Sequence, residues 1–186
     1  MHPQSSFVQR LGLEDPTLEG AFVELRPRPR LDFSLYPQGL ARGGLAHVDG
    51  PARTEAVLRL LTEHPGLRAA WVEQRLTAYP PGFVQRGVDL ACLLFVEGGG
   101  QFPWAVTELV RSQVFGLVTV ASPLPDGMAL RRLQLAAERS ACAVLLAAPL
   151  PAEAWPVRMR LWCAWEEGTL RVREGTAREE KAEAGG

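Results

Sequence analysis

The chain predicts an α/β fold: a mostly parallel sheet with helices on both faces, closed by a C-terminal antiparallel hairpin. Three observations carry this expectation. Apolar strand-like runs alternate with amphipathic helical stretches through four successive units. Several of those runs are near-continuously apolar, as expected of strands buried on both faces of a parallel sheet. The last segment then switches to strict alternation, which is the pattern of a two-stranded edge.

The elements follow in order from residue 39. Paired glycines in GLARGGLAHVDG lead into a short strand at 45–49, and Gly50-Pro51 makes the turn after it. A helix follows in ARTEAVLRLLTEH, with Ala56, Leu60 and Leu61 on one face and Pro65-Gly66 as its stop. LRAAWVEQ (67–74) reads as the second strand. YPPGFVQRGV is a loop with a short helical turn, and the third strand lies around Leu93–Glu97. A helix over 103–113 carries Pro103 in its first turn, where the missing N–H costs little. FGLVTVAS (115–122) is the fourth strand. Residues 128–140 form an amphipathic helix, with Leu130, Leu133 and Ala137 inward and Arg131, Arg132, Glu138 and Arg139 outward. ACAVLLAAP (141–149) is a further buried strand.

VRMRLWCAW places Val157, Met159, Leu161 and Cys163 on one face and Arg158, Arg160, Trp162 and Ala164 on the other. Glu167-Gly168 turns the chain, and TLRVRE runs back. Before the domain, residues 1–35 read as a short helix at 5–12 followed by an extended arm, because Pro27 and Pro29 fix the backbone. Such an arm packs on the domain's own flank or reaches a partner. The packed domain is expected at 36–174. The tail from 175 to 186 is charged and lacks aromatics, so it reads as disordered.

Composition narrows the function classes. With 186 residues, 47% hydrophobic and 22% charged, the chain is sized for one domain with a full core. A net charge of −1 gives no global reason to expect nucleic-acid binding. Arg26, Arg28, Arg30, Arg131, Arg132 and Arg139 read first as a solvated helix face and arm, so direct DNA contact is not expected. Cys92, Cys142 and Cys163, like His2, His47 and His64, are scattered without metal-ligand spacing, so no metal site is expected. The N-terminus lacks the pattern of a signal peptide and no apolar run suffices for a membrane helix, so a cytoplasmic location is expected.

GLARGGLAHVDGPARTEAVLRLL resembles the opening of the RecA-like ATPase core, in which a Gly-rich segment enters the first strand, a phosphate loop and a helix. AWVEQRLTAYPPGFVQRGVDLACLLFVEGG resembles that family's stretch from the second strand to its "GVD…LL" landmark. FGLVTVAS sits where its Walker B strand lies, and the likeness covers about 36–173. The family's ATP chemistry, however, lacks its residues here. A phosphate loop needs G-x-x-x-x-G-K-[ST], and this segment is Gly50-Pro51-Ala52-Arg53-Thr54, shorter and without the second glycine. An ungapped match puts Arg75 where the family carries its water-activating glutamate. Ala121, followed by Ser122, stands where the Walker B strand ends in a metal-supporting Asp.

Within the RecA group the resemblance is to chains that lack the ATP loop. The ImuA family, accessory to an ImuB-type polymerase-like protein in damage-induced mutagenesis, is matched better by the C-terminal hairpin. The FtsZ-binding SulA family is the alternative. The resemblance implies no cofactor, no catalysis, and protein partners: an ImuB-like protein and RecA, or alternatively FtsZ. The candidate interface is Phe102 and Trp104 in the Gly-rich loop EGGGQFPWAV, with Arg158, Arg160 and Trp162 on the hairpin. The bland readings stand beside these. The loop aromatics tuck into the core, and the hairpin arginines stack on Trp162.

Overall fold

The computed structural model describes residues 29–150, 154–157 and 159–175. A short antiparallel pair, β1 (Arg30–Leu31) and β2 (Leu40–Ala41), precedes the main sheet. Then follow β3 (Leu45–Asp49), α1 (Arg53–Glu63), β4 (Ala69–Glu73), α2 (Pro80–Gln85), β5 (Leu93–Glu97) and α3 (Phe102–Arg111). The remainder is β6 (Leu117–Val120), α4 (Gly127–Ser140), β7 (Ala143–Leu146), β8 (Met159–Glu166) and β9 (Thr169–Glu174).

The seven strands of the main sheet run in the order β5-β4-β6-β7-β3-β8-β9. All neighbouring pairs are parallel except the last, so β9 alone runs against the rest. This is the α/β sheet with a closing hairpin that the sequence predicts. The helix expected at 5–12, Arg26 and Arg28 of the arm, and the tail beyond 175 lie outside the described residues.

Two apolar layers sandwich the sheet. One holds Val57, Leu60 and Leu61 of α1, Phe83 of α2, and Leu31, Phe33, Tyr36 and Leu40 from the start of the described chain. The other holds Val106 and Val110 of α3, Leu130, Leu133 and Ala137 of α4, and Ala154 and Val157 from the crossover into β8. Each helix is held by the apolar stripe that its sequence shows. The charged side of α4, with Arg131, Arg132, Glu138 and Arg139, is exposed.

The packed unit begins earlier than residue 36. Leu31 and Phe33 are buried, and the stretch is tied to α1 by polar contacts. Glu63 accepts hydrogen bonds from both the Ser34 backbone N–H and the Ser34 hydroxyl. His64 Nε2 donates to the Asp32 carbonyl at 2.7 Å. The Tyr36 hydroxyl reaches Glu174 on β9 at 3.1 Å. The described part of the arm therefore packs on its own domain.

Strands are shorter than their apolar runs. The 67–74, 115–122 and 141–149 runs resolve into Ala69–Glu73, Leu117–Val120 and Ala143–Leu146. Their flanks still donate to neighbouring strands, as Ala121 N–H does to Val72 and Ala147 N–H to Val120, but they turn out of the ladder. Cys142, just before β7, and Cys163 in β8 are buried, and burial pushes both thiols up to about 12, as expected of small core hydrophobes. Among the described residues no helix is long and apolar enough to cross a membrane.

Leu133 is 1% exposed at the centre of the second layer. Leu133→Ala is expected to lower the unfolding free energy by about 2–5 kcal/mol, read as a shifted midpoint in urea denaturation.

Candidate functional site

In an open α/β sheet, ligands usually meet the carboxyl ends of the strands, where the direction of strand crossovers reverses. Here β3 is followed by α1 on one face of the sheet, whereas its neighbour β7 is followed by the crossover on the other face. The turn after β3 is thus where a phosphate would be expected, and it holds residues 50–54.

That turn is closed. Gly50 has φ +99°, a conformation that disfavours any side chain, and a Cβ there would press into the Cys163 carbonyl of β8. The Ala52 N–H donates to that same carbonyl at 3.1 Å. The Gly50 N–H is taken by the Asp49 carboxylate at 2.8 Å, and the Arg53 N–H by the Gly50 carbonyl at 3.3 Å. Phosphate capture at a helix N-terminus needs free amides and favourable charge. Three of the turn's N–H groups are already taken, Gly50 by the Asp49 carboxylate, Ala52 by β8 and Arg53 by Gly50, and the carboxylates of Asp49 and Glu55 flank it.

Glu55, in the first turn of α1, forms a two-pronged pair with Arg86 at 2.6 and 3.1 Å. Arg53, the nominal counterpart of a phosphate-loop lysine, lies half-buried with its guanidinium 3.5 Å from the Gly50 carbonyl. Pro51 and Thr54 are exposed on the outer side of the turn.

The two other positions that the resemblance singles out are Arg75 and Ala121. Arg75 is exposed in the loop beyond β4 and does not end the strand. The residue that ends it is Glu73, which is 6% exposed. Its carboxylate accepts from the Thr77 N–H at 2.5 Å, the Ala78 N–H at 2.9 Å and the Thr77 hydroxyl at 3.1 Å. This glutamate organises its own loop. Sequence reasoning passed over it, although a carboxylate closing the apolar run AAWV just before a run of loop amides is its signature. Ala121 directly follows β6, and the next residue, Ser122, accepts the Gln74 N–H at 2.9 Å, lacing the ends of β4 and β6 together. Among the described residues, no group of three His, Cys, Asp or Glu side chains could hold a metal ion.

His47 is a further buried polar group near this turn. Its Nε2 donates to the Ala148 carbonyl at 3.0 Å, just past the end of β7. Burial lowers its pKa, and the Arg160 and Arg53 charges act the same way; the Ala148 hydrogen bond and Asp49 oppose them. The folded chain therefore holds His47 neutral.

The proposed interface residues do not form one patch. Phe102 is 2% exposed in the second core layer, seated so closely over Gly98 that a Cβ there would lie 2.6 Å from its Cα. It is a core residue and is not available to a partner. Trp104, two residues on, is 63% exposed. The loop thus divides between the two roles: one aromatic anchors α3 and the other faces out. On the hairpin, β8 is paired on both sides, by β3 and β9, and β9 is the outer strand. Arg160 and Trp162 are half-buried on the face opposite Leu161 and Cys163, with Trp162 opposite Arg173, and the Trp162 Nε1 is enclosed without a hydrogen-bond partner. Arg158 lies outside the described residues.

In sequence comparison, no protein-family model and no curated protein matches the chain.

Two substitutions read this geometry. Gly50→Ala forces a side chain into the β8 backbone from a positive φ, and is expected to lower stability by about 3 kcal/mol or more in denaturant titration. For His47, the folded pKa lies below the unfolded 6.5, so acidification protonates the unfolded chain first. Stability is complete above about pH 6.5 and falls as pH drops below it. His47→Gln should remove this portion of the loss, seen by comparing urea midpoints at about pH 7.5 and 5.5. The loss through Glu63 should persist in both proteins at lower pH. Burial raises that carboxyl, but the Ser34 hydrogen bonds and Arg59 outweigh burial and hold it below 4.5.

Proposed function

We propose that this chain is a non-catalytic, RecA-like accessory protein of the ImuA type. In this reading it serves the bacterial DNA-damage response by helping an ImuB-like polymerase-family partner, and RecA, to assemble an error-prone translesion polymerase complex. The work is scaffolding through protein contacts, without ATP turnover and without direct DNA contact, in the cytoplasm.

The observation that carries the reading is the closed turn after β3. In an ATPase of this resemblance the turn would present free amides, a lysine and a hydroxyl to phosphates. Here Ala52 is bonded to Cys163, Gly50 to Asp49, and Arg53 folds back on Gly50. Glu73, the carboxylate nearest to where a catalytic glutamate would stand, is consumed by Thr77 and Ala78. With the strand ends engaged in their own loops, function moves to surfaces. The antiparallel closing hairpin adds support, since it is the part of the sequence that resembles the ImuA end.

The test is co-purification of the tagged chain with an ImuB-like protein and with RecA from the same bacterium. The expected result is a stoichiometric complex with the ImuB-like partner that survives nuclease treatment. Recovery of neither protein, together with inhibition of FtsZ polymerisation by the purified chain, would replace this reading with the cell-division alternative.

A further inference from the structure

The outer face of α4 carries apolar and cationic groups that the fold itself does not use. Met128 is 62% exposed and Leu135 40% exposed, seven residues apart and so on nearly the same side of the helix. Between them stand Arg131 and Arg132. Arg131 lies over the ring of Trp155, 4.5 Å from its centroid, and Trp155 is itself 59% exposed. Arg132 reaches the Met128 sulfur at 3.3 Å and lines a groove with Trp104. One groove, of about 460 Å³, runs between α3 and α4 beneath Trp104. Another, of about 480 Å³, lies on the far side of α4 beside Trp155. The helix is therefore a ridge with an exposed tryptophan on each flank.

We propose that this α4 ridge docks an acidic amphipathic helix of a protein partner. The proposal rests on the partner-binding reading above and gives that partner a chemistry. Exposed tryptophan, arginine and methionine are enriched in the cores of protein interfaces. Among the described residues neither Arg131 nor Arg132 pairs with a carboxylate, and Arg139 adds a third exposed guanidinium one turn beyond Leu135. The nearby acids are otherwise engaged: Glu138 accepts from Gln134, and Glu108 is paired with Arg111. A local cationic surface on a chain of net charge −1 complements a partner carboxylate row. α4 has 14 residues, so the ridge is about 21 Å long, enough for a partner helix of three to four turns.

Nucleic acid fits less well. A phosphate track needs a continuous cationic path, and here the exposed Met128 and Leu135 interrupt it. Apolar groups at helical spacing have no work to do against phosphates, but they match the i, i+4, i+7 anchors of a helix.

The experiment is selection from a displayed library of randomised 15-residue helical peptides against the whole protein, followed by anisotropy measurements with the purified winners. The expected winners carry Glu or Asp on one side and Leu, Phe or Met at i, i+4 and i+7. Their affinity should fall at least tenfold on Arg131→Glu/Arg132→Glu and on Trp104→Ala, and should weaken in 0.5 M salt. Both variants alter exposed groups, and their unfolding midpoints serve as the folding control. No enrichment, winners that are basic, or winners indifferent to both variants would overturn the proposal. So would tighter binding of a fluorescent oligo(dT) to the same face, lost in the same variants.

The two readings fail separately. An ImuB-like partner that binds the Arg131→Glu/Arg132→Glu protein undiminished removes the ridge but keeps the scaffold. Acidic helices that select the ridge, without any ImuB-like or RecA complex, keep the ridge but remove the scaffold.

Discussion

The contact on which the rest of this structure depends is the approach of the β3–α1 turn to β8 at Cys163. Gly50 permits it by adopting φ +99° with no side chain. The Ala52 N–H then bonds the Cys163 carbonyl, so the first helix starts against the neighbouring strand. β8 is locked in parallel beside β3, with Val48 opposite Leu161 and Asp49 opposite Trp162. The closing hairpin follows from that lock, because β9 has only β8 to pair with. One short turn therefore joins the front of the sheet to its last strands, and in doing so takes up the amides of Gly50, Ala52 and Arg53.

The strand ends share a common economy. Glu73, Ser122 and Glu97 each accept backbone N–H groups from the 74–78 loop, at distances between 2.5 and 3.0 Å. Polar groups at the mouth of an α/β sheet are ordinarily kept for ligands. Here they fix loops, and unsatisfied buried donors and acceptors would otherwise be costly. The large side chains left exposed, Trp104 and those along α4, take no part in these bonds.

Much of the fold was legible in the sequence because its signals are local. Gly-Pro and Pro-Gly punctuation marks the ends of elements, and the inward stripe Leu130, Leu133, Ala137 of α4 is buried as its spacing implies. The order of the strands was not legible, since β3 pairs with β7 and β8 across most of the chain and no local pattern encodes such partners. The packed start of the domain was missed for a similar reason. Leu31 and Phe33 sit in a proline-rich stretch, and their burial depends on α1 and on Glu63 rather than on their neighbours. At the site, the shortness of the 50–54 segment was readable, but the bonds it makes to Asp49 and Cys163 were not. The ungapped match points to Arg75, which lies in the loop two residues beyond the strand end at Glu73. Phe102 and Trp104 look equivalent in sequence; only the close packing of Phe102 on Gly98 separates them.

Closure of the β3–α1 turn by β8, Asp49 and its own backbone is tested most directly by amide hydrogen exchange at Gly50, Ala52 and Arg53, with and without Mg-ATP. The Ala52 amide is expected to be protected to the level of the β3 and β8 core, with nucleotide changing none of the three rates. Fast exchange at Ala52 that slows when Mg-ATP is added would contradict it, because the turn would then be open and holding phosphate.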